Sequence, residues 1–137
     1  MSEPYVLDSF AVLALLGKEA GSDTVSHLMR QAQEKKVHLL MTWVNAGEVA
    51  YIVERRWGKD HLYRVLGTLE ATQIEFVPVE RELALTAASI KAEHPLAYAD
   101  AFAAALAIQK GAVLVTGDQE FKALEDVLNI HWLPETE

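Results

Sequence analysis

Four acidic residues of this 137-residue chain stand in surroundings that do not explain them. Asp8 closes the apolar run Tyr5-Val6-Leu7, and Asp118 follows Val113-Leu114-Val115-Thr116-Gly117. Glu48 lies within Ala46-Gly47-Glu48-Val49-Ala50-Tyr51, and Asp100 lies between Tyr98-Ala99 and an alanine-rich stretch that begins at Ala101. Such neighbours imply at least partial burial, and a buried carboxylate is costly unless it is paired, hydrogen-bonded, protonated or bound to a cation. No Lys or Arg adjoins Asp8, Asp100 or Asp118, so a cation is the economical neutraliser. Hard oxygen ligands of this kind suit magnesium or manganese. Hydrolysis of a phosphodiester needs an activated water, offset charge on the phosphoryl oxygens and a supported leaving oxygen, and two ions held by carboxylates can supply all three.

Each acid also has an ordinary reading. Asp8, Asp100 and Asp118 suit helix starts, and Glu48 could pair with Arg55 further along a helix. Their joint placement is what favours a shared site. The five histidines, His27, His38, His61, His94 and His131, show no metal-ligand spacing, and the absence of cysteine excludes disulfides, zinc ribbons and thiol nucleophiles. Two other functions compete. Phosphoryl transfer through Asp8 needs a second acid two residues on, where Phe10 stands, and a receiver-like acceptor would want a lysine that the segment 113–118 lacks. A non-catalytic module that binds RNA or a partner is the third reading.

The elements that must position these acids alternate between short apolar runs and longer amphipathic ones, the pattern of an α/β sandwich. Strands are expected at 4–8, 37–41, 74–77, 113–115 and 130–133. Helices are expected at 9–17 behind a Ser9 cap, at 22–35 behind Ser22 or Asp23, and at 43–57 behind Thr42. Further helices fall at 59–70, 80–93, 98–110 and 119–126. The first and fourth strands both run into an acid, and ligands of open parallel sheets bind at the carboxyl ends of strands.

Length and composition set outer bounds. The chain is the size of one domain, and its hydrophobic fraction of 51% is ample for a core. Its longest apolar runs, such as 101–108, hold about eight residues against the roughly 18 of a membrane span. With no signal-like start, a soluble cytoplasmic protein is expected. The net charge of −8 sits awkwardly with nucleic-acid binding. The excess is uneven: residues 1–70 hold eight basic and nine acidic side chains, residues 71–137 four and eleven. Two divalent ions would offset the four clustered acids. Arg55, Arg56, Lys59 and Arg64 offer a phosphate rail, as do Lys35 and Lys36, although a solvated helix face is the commoner use of such charges. Trp43 and Trp57 could stack bases or pack against protein.

The succession VLDSFAVLALL, NAGEVAYIVERR, LAYADAFAAALAI and VLVTGDQEF resembles the PIN-domain ribonucleases, and among them the VapC-type toxins of prokaryotic toxin–antitoxin pairs. The resemblance spans residues 5 to about 132 and implies one PIN domain over 1–137. Its fold would be a three-layer α/β/α sandwich around a parallel sheet of four to five strands. It implies an endoribonuclease that uses one or two Mg2+ or Mn2+ ions, usually as a homodimer. Asp8, Glu48, Asp100 and Asp118 match the family's catalytic and metal-holding acids. Ser9, Asn45, Thr116 and Glu120 match its supporting polar positions, and Arg55, Arg56 and Lys59 are the candidates for gripping substrate. The resemblance also implies an antitoxin whose basic segment blocks the acidic groove, with DNA reached only through that complex.

Overall fold

Successive residues of the central strands enter two different cores, which is how a sheet covered on both faces reads in sequence. In the computed structural model, which describes residues 2–135, Val6, Leu40 and Leu114 point into one core and Leu7, Leu39, Met41 and Val115 into the other. The elements run β1 (Glu3–Leu7), α1 (Ser9–Leu16), α2 (Ser22–Gln33), β2 (Val37–Thr42), α3 (Trp43–Trp57), α4 (Lys59–Glu70), β3 (Glu75–Val77), α5 (Arg81–Glu93), α6 (Tyr98–Lys110), β4 (Val113–Thr116), a 3-10 helix (Gln119–Leu124) and β5 (Ile130–Trp132). Five parallel strands form one sheet in the order β3-β2-β1-β4-β5. Helices α1 to α4 pack on one face, and α5, α6 and the 3-10 helix on the other. This is the three-layer sandwich expected, with five strands.

The strand order makes β1 the pivot. From β1 the chain winds outward through β2 to β3, and then returns across the opposite face to place β4 on the free side of β1. The connections leaving β1 and β4 therefore diverge, which opens a crevice at their carboxyl ends, the topological switch point where ligands of such sheets sit. Register fixes what meets there. Leu7 pairs with Val115, so Asp8 and Thr116 emerge side by side.

Helix α6 reaches the site because of its alanines. Ala101, Ala103, Ala104, Ala105 and Ala107 are all buried, and small side chains let its backbone lie close to the sheet and to α5. Leu114 on β4 is fully buried beneath it, and truncation of such a leucine costs about 2–5 kcal/mol.

Three expectations need correction. The cap of α1 is Asp8, whose carboxylate accepts from the Ala11 amide, and Ser9 is the first helical residue. Helix α2 has Gly21 as its N-cap, at φ 93°, in place of a Ser22 or Asp23 side-chain cap, and Gly21 also sits tightly against Leu133. The segment expected as a helix over 119–126 is a 3-10 helix ending at Leu124. Its buried residues Phe121 and Leu124 are three apart, the repeat of a 3-10 turn. Thr42 caps α3 as expected, accepting from the Asn45 amide.

Candidate active site

Asp8 is 1% exposed, and both its oxygens are engaged. Oδ1 accepts from the Ala11 amide at 2.9 Å, and Oδ2 accepts from the Thr116 hydroxyl. Thr116 in turn accepts from the Asp118 amide at 3.0 Å, so one buried hydroxyl sets the spacing between two acids from neighbouring strands. Asp118 Oδ1 accepts from the Glu120 amide at 3.0 Å and so starts the 3-10 helix. Glu120 accepts from the Ala97 amide at 3.3 Å, which ties that helix to the start of α6. Across the crevice, the Ser9 hydroxyl donates to Glu48 on α3.

Asp100 lies in the first turn of α6, where the positive end of the helix dipole favours an acid. Its position is set through Asn45. That buried amide accepts from the Thr42 hydroxyl at 2.6 Å and donates to the Ala99 carbonyl at 3.0 Å. The end of β2, the start of α3 and the start of α6 are thereby fastened together. One oxygen each from Asp100, Asp118 and Glu120 lie within 4.8 Å of one another.

Five carboxylates thus share one crevice. Burial pushes the Asp8 carboxyl up to about 7, with Asp118 and Glu48 adding to the rise against the hydrogen bonds from Thr116 and Ala11. Burial pushes Asp100 up to about 8, reinforced by Asp118, Asp8, Glu48 and Glu120. Among the described residues the ion pairs are Lys36–Glu34, His38–Glu75 and Arg81–Glu82, and none includes a clustered acid. A site that concentrates negative charge, spaces it with hydroxyls and gives it no basic partner fits a divalent cation.

The expected acids and their polar supports Ser9, Asn45 and Thr116 come together, and Glu120 stands closer to Asp100 and Asp118 than its supporting rank implied. The basic candidates do not converge. Arg56 borders a cavity beside the acids, with its guanidinium 5.9 Å from the Trp57 ring centroid. Arg55 lies over Tyr51, Lys59 begins α4, and Arg64 contacts His61. Lys35 and Lys36 precede β2, at the end of the sheet opposite the acids. Trp43 stacks on Phe76 with centroids 4.8 Å apart. Thr42 read as a cap only, although its bonds to Asn45 make it part of the scaffold. Glu120 enters only through the resemblance, as the acid of the DQEF continuation after Asp118.

This fold and this crevice place the chain in a known class: it belongs to the PIN domain family, whose model matches residues 5–127. A sequence comparison with curated proteins returns no match. Solved structures share the fold at low identity. VapBC2 from Rickettsia felis bound to a promoter DNA fragment is similar at TM-score 0.78 and 17% identity, covering 96% of this chain and 99% of that one. DNA-bound VapBC from Salmonella typhimurium is similar at 0.73 and 18%, covering 96% and 98%. VapC20 from Mycobacterium tuberculosis, described as a sarcin-ricin loop cleaving toxin, is similar at 0.71 and 19%, covering 97% and 98%.

Proposed function

We propose that this chain is a metal-dependent endoribonuclease, with Mg2+ or Mn2+ as cofactor, and the toxin of a toxin–antitoxin pair. The observation that carries the proposal is the gathering of Asp8, Glu48, Asp100, Asp118 and Glu120 in one crevice, with none of them in an ion pair among the described residues. Asp8, Glu48, Asp100 and Asp118 would hold one or two ions, with Glu120 as an added ligand or brace. When bound, the metal supplies charge for the phosphoryl oxygens and lowers the pKa of water. The protein's own part is positional. Thr116 holds Asp8 and Asp118 in register, Ser9 aims Glu48, and Asn45 fixes Asp100. The raised carboxyls release their protons when a cation arrives, so binding strengthens as pH rises.

RNA is the substrate favoured by the resemblance, and the neighbour described as a loop-cleaving toxin supports it. Several neighbours are complexes with an antitoxin, two of them on DNA. A partner whose basic segment enters the crevice would neutralise the unpaired acids as a metal does. DNA contact would then come through that partner. A homodimer in the cytoplasm completes the reading, and among the described residues no helix is long and apolar enough to cross a membrane.

Expression of the wild-type chain in a bacterial host should arrest growth. Asp118→Asn should not, and co-expression of the protein encoded beside it should relieve the arrest. Equal growth arrest by the Asp118→Asn variant would overturn the assignment.

A further inference from the structure

Beside the carboxylates lies a cavity that the reaction chemistry leaves unassigned. It has a volume of about 470 Å3, within the range of small-ligand sites. Phe10, Leu13 and Leu133 give it an apolar wall, and Arg56, Gln119, Glu19 and Glu135 are among the other residues that line it. It meets the acidic crevice at two places in the chain: Phe10 follows Ser9 in α1, and Gly117 and Gln119 flank Asp118.

Phe10 is a large aromatic left 43% exposed in the first turn of α1. Its ring lies against Gly117 so closely that a Cβ there would stand 2.3 Å from Phe10 Cε1. Gly117 is not among the glycines with positive φ, so its backbone does not call for glycine. The close approach of the ring does. The residue before Asp118 thereby leaves room for an aromatic ring close to the acids.

We propose that this cavity is a nucleobase subsite, in which Phe10 stacks the base next to the phosphate being cleaved, with guanine preferred. The proposal rests on the ribonuclease reading above. Base–aromatic stacking is the usual way unpaired bases are held, with the base edge read by polar groups around it. Two of the residues that line it are acidic, Glu19 and Glu135. Guanine alone among the four bases offers two adjacent N–H donors to a carboxylate on its Watson–Crick edge. Arg56 supplies positive charge for the adjoining backbone phosphate. An apolar peptide side chain would fill the wall but leave the polar groups unused.

The test is a nuclear magnetic resonance titration of metal-free protein with each of the four ribonucleosides. They carry no phosphate for the acids to repel. Guanosine is expected to shift the Phe10 and Leu133 signals and to bind tightest. Binding should weaken about tenfold in Phe10→Leu, the order of one lost stacking contact, and persist in Phe10→Trp. Gly117→Ala should weaken it too, by displacing the ring without removing it. The proposal is overturned if no nucleoside moves these signals, if the shifts are indifferent to Phe10→Leu and Gly117→Ala, or if a leucine-rich peptide fills the cavity and nucleosides do not. The titration involves no catalysis, so failure of the subsite shows here and failure of the nuclease reading shows only with RNA.

Discussion

Replacing Asp8 by asparagine should make the metal-free protein less sensitive to pH. The folded carboxyl keeps its proton up to about pH 7, whereas the unfolded chain releases it near 3.8. Between those values the folded state binds more protons than the unfolded state. Stability therefore falls as pH rises, and levels off above the folded value. Each pH unit in that window is worth about 1.4 kcal/mol, so the wild type should lose about 3 kcal/mol between pH 5 and pH 8 through this group alone. Asp8 is buried, so solvent screening does not erode that figure. The replacement asparagine has no proton to hold, and its side-chain oxygen can still accept from Ala11, so the cap of α1 survives. Asp100 titrates in both proteins, but loss of the Asp8 charge lessens its rise in the variant, which adds to the contrast. For a chain of this size the contrast is roughly 10 °C in Tm. Thermal unfolding in chelator at pH 5, 6, 7 and 8 would measure it. Parallel curves for the wild type and Asp8→Asn would refute the claim that Asp8 is a buried, charge-crowded acid.

Four further outcomes follow from the same geometry. Saturating Mg2+ should raise Tm at pH 8 more than at pH 5, and calorimetry in buffers of different ionisation enthalpy should detect proton release on binding. Thr116→Val removes the hydroxyl shared by Asp8 and Asp118, and should lower RNA cleavage about 10- to 100-fold, as loss of a supporting group does. Asn45→Ala breaks the ties to Thr42 and Ala99 and should cost about 1–3 kcal/mol in chemical denaturation, with weaker metal affinity. Leu114→Ala should cost about 2–5 kcal/mol yet leave the metal-induced rise in Tm in place, because it lies in the core away from the acids.

The layers were legible in the sequence because apolar runs and their punctuation agreed. Thr42 and Gly58 bracket α3, Gly111 closes α6, and the short run at 113–116 is as apolar as a doubly covered strand must be. Asp8 and Asp118 were legible as strand-end acids for the same reason. Pairing was not: nothing local in β1 says that β4 and not β3 lies beside it, so the contact between Asp8 and Thr116 emerges only from register. The start of α1 misled because Ser9 and Asp8 both suit a cap, and the choice is made by where the strand ends. The last helix misled because Phe121 and Leu124 satisfy both α and 3-10 spacing over so few residues. The approach of Phe10 to Gly117 was hidden entirely, since a phenylalanine in an apolar run gives no hint that its ring stays partly exposed against a glycine far along the chain.

The proposed activity is cleavage of RNA by the crowded carboxylates through a bound cation. The most direct measurement is the initial rate of cleavage of purified RNA by wild type and Asp100→Asn, in Mg2+ and in chelator. Cleavage is expected from the wild type only with metal, and none from a folded Asp100→Asn protein. Wild-type cleavage that persists in chelator, or an Asp100→Asn variant as fast as the wild type, would contradict it.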